Sequence, residues 1–264
     1  MSGLDDLLAG KVAVVSGIGP GMGRALSLRM ARSGADVVLA ARTEAKLTEV
    51  AAEVEALGRR ALCVPTDIAS PEDCARLVER ADAELGGIDV LVNNAFEEDP
   101  FISFEDGGPD VWRKVFDTNV FGTLQLTQAV IPSMQRRGGG AIVMISTLST
   151  RIVNPLLGGY AASKRALMTA AQTLALELGP SGIRVNTVAP GHIRGPSLEW
   201  YFDKLAAERG ITAQEVYDEI AGLNCLHHLH TPEEVAGAVL FFVSDRARAI
   251  TGQTLDVNAG RYFH

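Results

Sequence analysis

Tyr160 and Lys164 stand four residues apart in Tyr160-Ala161-Ala162-Ser163-Lys164, and residues at i and i+4 of a helix share one face. A phenol and an ammonium placed in this way can share a site. The cation stabilises the phenolate and lowers a pKa that starts near ~10, so such a tyrosine can pass protons near neutral pH. The helix is written into the residues that follow. Leu167, Met168, Ala171, Leu174, Ala175 and Leu178 continue an apolar stripe at helical spacing until Gly179-Pro180 stops it. A Tyr-x-x-x-Lys pair also occurs as ordinary surface decoration, so its meaning depends on its surroundings.

A second cluster lies near the start. Gly17, Gly21 and Gly23 fall in Ser16-Gly17-Ile18-Gly19-Pro20-Gly21-Met22-Gly23, between an apolar run and a helical pattern. Glycines there allow a tight turn and close backbone approach to a pyrophosphate resting on the helix N-terminus. The spacing is Gly-x3-Gly-x-Gly rather than the commoner G-x-G-x-x-G. Cofactor choice should be written at the end of the second strand, Val37-Val38-Leu39-Ala40-Ala41-Arg42-Thr43. A carboxylate there would bind the ribose 2′-hydroxyl of NAD, and an arginine accommodates the 2′-phosphate of NADP. Arg42 follows Ala41, and Asp36 lies at the wrong end of the strand, so the expectation is NADP. With Arg42 merely solvated at a helix start, NAD is possible.

These groups need elements to hold them. Residues 11–16, 35–41, 61–65, 88–93, 141–146, 184–188 and 253–257 read as strands, with helical patterns between them at residues 44–57, 109–136 and 159–178 among others. Pro71 and Thr231-Pro232-Glu233-Glu234 mark two helix starts. Strand–helix alternation with short connections predicts a parallel sheet covered on both faces. No repeat, low-complexity tract or linker interrupts it, so residues 1–264 read as one domain. Residues 194–226 are too long for a plain connection and read as a substrate lid.

Composition narrows the classes. The chain has 264 residues, 47% of them apolar, enough for a substantial core. A net charge of −8 without a basic run argues against nucleic acid and anionic membrane surfaces. Met1-Ser2-Gly3-Leu4-Asp5-Asp6 lacks the regions of a signal peptide, and no apolar stretch is long enough to span a bilayer. Cys63, Cys74 and Cys225, odd in number and far apart, suit free thiols in a reducing cytoplasm.

In order along the chain stand the glycine turn, Asp67 after the third strand, Asn93-Asn94-Ala95, Asn119, Tyr160 with Lys164, and Pro190-Gly191-His192-Ile193. With these motifs, from about Gly10 to Gly260, the chain resembles the classical short-chain dehydrogenases/reductases. The resemblance implies a Rossmann-like three-layer α/β sandwich with a seven-stranded parallel sheet, and a homo-oligomer, tetramer or dimer. It implies a cofactor site of Ser16, Gly17, Gly21, Met22, Gly23 and Arg42, with Asp67 and Ile68 at the adenine and Asn94 at the adenosine ribose. Tyr160 and Lys164 would bind the nicotinamide ribose, and Ile193, after Pro190, would meet the carboxamide. Tyr160 would be the general acid/base, Lys164 would lower its pKa, and Asn119 would keep a water in the proton relay unless it is only a polar residue at a helix kink. The small-molecule partner would be a secondary alcohol or ketone. A 3-oxoacyl thioester is the rival substrate, against which the acidic Glu97-Glu98-Asp99 argues mildly, and a non-catalytic dinucleotide sensor on the same fold is the rival function.

Several positions depart from the family pattern. A serine is expected thirteen residues before the tyrosine, and Thr147 stands there with the same donor and acceptor hydroxyl. A shifted loop would present Ser149 instead. Phe96 replaces a glycine after Asn-Asn-Ala and would narrow or line the substrate chamber; Gly195, with Ser197 nearby, replaces a threonine. Trp200, Tyr201 and Phe202 in the lid either close over a hydrophobic or cyclic substrate or pack the lid's own helices. His227, His228 and His230 are expected to be structural or interface residues, with no metal site.

Overall fold

The computed structural model describes residues 6–98 and 100–263. Residues 1–5, Asp99 and His264 lie outside the described residues, as does the side chain of Ser197. Among the described residues, β1 (Val12–Ser16), β2 (Asp36–Ala41), β3 (Ala61–Pro65), β4 (Val90–Asn93), β5 (Gly140–Ile145), β6 (Ile183–Pro190) and β7 (Thr254–Val257) form one sheet. Its order is β3-β2-β1-β4-β5-β6-β7, with every neighbour parallel.

Burial on both faces explains the unbroken apolar strands. Ala13, Val15, Val37, Leu39, Val92 and Val143 turn to one side. There they meet Leu26 and Met30 of α1 (Met22–Arg32), Leu47 and Val54 of α2 (Glu44–Ala56), and Val235 and Val239 near the carboxyl end of the chain. Their neighbours Val12, Val14, Val38, Leu91 and Ile142 turn to the other side. These meet Leu77 of α3 (Pro71–Leu85) and helical residues Leu126, Val130 and Ala171 further on. Successive side chains of a strand point to opposite faces, and this alternation fills both layers.

The helix expected over residues 109–136 is three pieces. α4 (Phe104–Phe116) starts earlier, capped by the Ser103 hydroxyl accepting the Asp106 N–H, and is broken at Gly108, where φ is 61°. A π-helical stretch, Asp117–Gly122, then leads into α5 (Thr123–Arg136). α6 (Gly158–Leu178) carries the Tyr-x-x-x-Lys pair. Residues 194–226 hold two helices, α7 (Pro196–Arg209) and α8 (Ala213–Gly222), with a small core of Phe202, Ala206, Val216 and Ala221. α9 (Pro232–Val243) begins with a capping box between Thr231 and Glu234. No described helix is long and apolar enough to cross a membrane.

Strand order reverses direction of travel between β1 and β4, and a crevice opens at the carboxyl ends of the strands where this happens. Into it project the residues after β1, β4, β5 and β6.

Candidate active site

The turn after β1 is held by contacts that only glycine permits. Gly17 has φ 76°, and a Cβ there would lie 2.5 Å from the Ala95 Cα; a Cβ on Gly23 would lie 2.3 Å from the Gly17 carbonyl oxygen. Gly21 differs, because a Cβ on it would meet nothing within 4 Å. No side chain caps α1, and its first turn carries no acid, so its positive end is left open to an anion. This cradle fits the pyrophosphate of a dinucleotide. Asn94 donates to the carbonyls of Ser16 (3.1 Å) and Gly17 (2.8 Å), tying the turn to the end of β4. Ser16 is fully buried and its hydroxyl accepts the N–H groups of Asn94 and Ala95, so it supports the turn from behind and does not line the groove.

Two adjoining cavities form the groove. One, of about 300 Å³, is lined by Gly17, Arg42, Lys46, Asp67, Ile68 and Asn94 among others. The second, of about 360 Å³, is lined by Gly21, Met22, Gly23, Thr147, Tyr160, Lys164, Pro190 and Ile193 among others. Gly17, Asn94 and Phe96 border both. All the expected cofactor residues except Ser16 therefore face one continuous trough. Lys46 is an addition. It lies one helical turn beyond Arg42, a spacing visible in the sequence once the helix start is fixed, and neither forms an ion pair with a described residue.

At the second cavity Tyr160 hydrogen-bonds Thr147. The Thr147 hydroxyl also accepts the Ser149 N–H at 3.2 Å, while Ser149 does not line the cavity. The loop is therefore in the register that presents Thr147. Burial pushes the Tyr160 phenol up to about 12; the Thr147 hydrogen bond pulls it down and the charge of Glu98 raises it further. The sequence leads one to expect acidification by Lys164 instead. The Lys164 ammonium donates to the Ile145 carbonyl at 2.9 Å and lies 5.9 Å from the centre of the Tyr160 ring. Burial lowers its own pKa to about 8. Phe96 packs beside both groups, its ring centre 6.0 Å from that of Tyr160 and 5.6 Å from the Lys164 Nζ.

Asn119 sits in the π-helical stretch, fully buried and outside both cavity linings. Its side-chain oxygen accepts the Glu97 N–H at 2.6 Å, and its amide donates to the Glu97 carbonyl and to the Ser163 hydroxyl, both at 3.1 Å. Asn119 thus clamps the segment after β4 against α6, next to Tyr160. An inserted π turn is a device for aiming one side chain out of helical phase.

The lid aromatics divide. Phe202 packs the lid core, Trp200 is exposed beneath Lys204, and Tyr217 stacks under the Arg194 guanidinium. Of the lid, Arg194, Gly195, Pro196 and Leu198 line the second cavity. His230 is buried, and burial holds it below the usual imidazole range.

A family model described as enoyl-(acyl carrier protein) reductase matches residues 17–261. The dehydrogenase/reductase SDR family member 4 of Bos taurus is 37% identical over 257 residues, 97% of this chain and 89% of that protein. The solved structure of L-sorbose reductase from Gluconobacter frateurii, complexed with NADPH and L-sorbose, superposes with a TM-score of 0.90 at 31% identity, covering 97% of this chain and 98% of that one. Carveol dehydrogenase from Mycobacterium avium, in complex with NAD, gives a TM-score of 0.91 at 28% identity over 97% and 99%.

Proposed function

The chain belongs to the short-chain dehydrogenase/reductase family and is an oxidoreductase of alcohol and ketone substrates; from that premise we propose an enzyme that prefers NADP(H) and acts on a hydrophobic, cyclic secondary alcohol or its ketone. One observation carries the proposal. Tyr160 and Thr147, joined by a hydrogen bond, face the same cavity as the glycine turn.

The nicotinamide, when bound, supplies or accepts the hydride. In reduction the Tyr160 hydroxyl gives its proton to the substrate oxygen, and in oxidation it takes that proton back. Thr147 offers a hydroxyl to the same oxygen and orients it. Lys164, charged through neutral pH, favours the phenolate side of this exchange, and Asn119 keeps the Glu97 segment and Ser163 in place around it. Gly17, Gly21, Met22, Gly23 and the open end of α1 hold the pyrophosphate; Asp67, Ile68 and Asn94 border the adenosine, and Pro190 and Ile193 the carboxamide.

Arg42 and Lys46 support the cofactor preference, since both are cations without an ion-pair partner among the described residues, at the cavity where a 2′-phosphate would lie. Phe96, Ile193, Pro196 and Leu198 support an apolar, ring-shaped substrate, as does the likeness to carveol dehydrogenase. Glu98, close enough to load the Tyr160 phenol, disfavours a phosphorylated acyl carrier. The exposed aromatic face of Phe104 and Phe121, beside Trp112 and Phe116, supports a homo-oligomer. The test is turnover of a cyclic-ketone panel with NADPH. Tyr160→Phe should cut kcat about 1,000-fold with NADPH affinity held, whereas a wild-type chain that binds NADPH and turns over nothing would make it a sensor.

A further inference from the structure

We infer that His228, His230 and Glu234 form a binding site for a borderline divalent transition metal, Zn2+ by preference, at the junction between the loop after β6 and the start of α9. Each of the three offers one donor atom, and the three atoms lie within 4.8 Å of one another. The closest pair is the better measure. His228 Nε2 and Glu234 Oε2 are 3.3 Å apart, and a tetrahedral ion with bonds of about 2.0–2.1 Å sets its ligand atoms roughly 3.3 Å from each other. The two rings cross edge to face with centres 5.6 Å apart and do not stack.

His230 supplies the second, independent sign. It is 4% exposed, and its Nε2 is buried with no hydrogen-bond partner among the described residues. A buried imidazole in a folded protein normally satisfies both nitrogens, and one that does not calls for a reason. Metal ligation uses one nitrogen and is commonly set by what the other meets. The frame is rigid where ligands need it to be. The His230 backbone N–H donates to the His192 carbonyl at 3.2 Å, and its backbone carbonyl accepts the Arg194 N–H at 2.7 Å. The Glu234 Oε2 that faces His228 also accepts the Thr231 N–H at 2.8 Å, which fixes the carboxylate in place.

Two imidazoles and one carboxylate suit Zn2+, with Cu2+ or Ni2+ as competitors, and leave a fourth position for water. The position gives the ion a consequence. Ile193, which borders the second cavity, is bridged to His230, and Pro232 borders that cavity from the far side. An ion here would staple the carboxamide-facing loop to α9 and stiffen one wall of the cleft.

The test uses the full chain with Zn2+ and Co2+ alone. Equilibrium dialysis should give about one Zn2+ per chain, the Co2+ form should show the intense visible bands of a tetrahedral ion, and Zn2+ should raise Tm. His228→Ala should weaken binding about 100-fold and abolish the Tm shift. Glu234→Gln preserves the capping box, so its loss of about tenfold or more in affinity would isolate the ligand role from the fold. His227→Ala, an exposed neighbour outside the cluster, should change nothing. No stoichiometric Zn2+, binding that survives His228→Ala, or binding lost in His227→Ala would each overturn the site.

Discussion

The Lys164 ammonium is buried and its Nζ donates to the Ile145 carbonyl at 2.9 Å, with no carboxylate partner among the described residues. A lone buried cation is costly, and burial holds its pKa down to about 8 from 10.5. The unfolded chain therefore binds the extra proton between about pH 8 and 10.5, and stability rises with pH across that window. Lys164→Met removes the cost of the charge but leaves the Ile145 carbonyl one donor short, a penalty of about 1 kcal/mol. Denaturation at pH 7 should show the variant more stable by about 1 kcal/mol, with turnover down about 100-fold or more. A wild-type pH slope that survives in the variant would mean that Lys164 is not its source.

Thr147 and Ser149 are separated by their surroundings. Thr147 shares a hydrogen bond with Tyr160 at the cavity wall, and Ser149 lies behind it. Thr147→Ala should lower kcat about 100-fold, chiefly through substrate orientation, and Thr147→Ser should recover most of the activity. Ser149→Ala should stay within about threefold of wild type. Steady-state kinetics on the three variants decides between them, and the reverse ranking would mean that the loop moves on substrate binding.

The parts of the molecule that obey a simple period were legible beforehand. β3 runs over the residues the apolar pattern marks, β1 and β2 each start one residue later than expected, and β6 is longer by one residue at its start and two at its end, because doubly buried parallel strands are written as continuous apolar runs. The break inside α4 and the one between α4 and α5 were not legible. Gly108 and a π turn interrupt an otherwise helical pattern without leaving a periodic sign. The glycine turn, Arg42, Tyr160 and Lys164 were found by type and spacing, and Asp67, Asn94, Asn119, Thr147 and Ile193 by the family resemblance, but their electrostatics were not legible. Spacing says that Tyr160 and Lys164 share a face, whereas their pKa directions come from burial, which depends on Phe96 and the strand ends packed around them. Ser16 shows the same limit: a hydroxyl next to the glycine turn is as useful inside the fold as on the groove.

Arg42 and Lys46 make cofactor choice testable at one end of the groove. A charge-assisted bond to phosphate contributes about 1.5–3 kcal/mol. Arg42→Ala should raise the KM for NADPH roughly 10- to 100-fold and leave that for NADH within about threefold, and Lys46→Ala should do the same more weakly, because a point charge lacks the bidentate fork. Equal losses with both cofactors would mean that these residues hold only the adenosine, and a wild-type preference for NADH would remove the NADP assignment.

Glu98 and Tyr160 give the reaction a pH signature. The phenol is held up to about 12, so it is protonated at neutral pH and ready to serve as the acid in ketone reduction. Reduction should therefore be flat through neutral pH and decline above about 8 as Lys164 loses its charge. Alcohol oxidation needs the phenolate and should climb with pH; the positive nicotinamide of the oxidised cofactor, once bound, favours that form and brings the rise below 12. The Glu98 charge raises the phenol pKa, and Glu98→Gln removes it. The oxidation limb of kcat/KM should then move to lower pH by about half a unit, with the amide preserving the size of the side chain. A limb that moves upward in the variant would show that Glu98 does not oppose the phenolate, and a reduction rate that falls below pH 7 would show that the proton donor is not Tyr160.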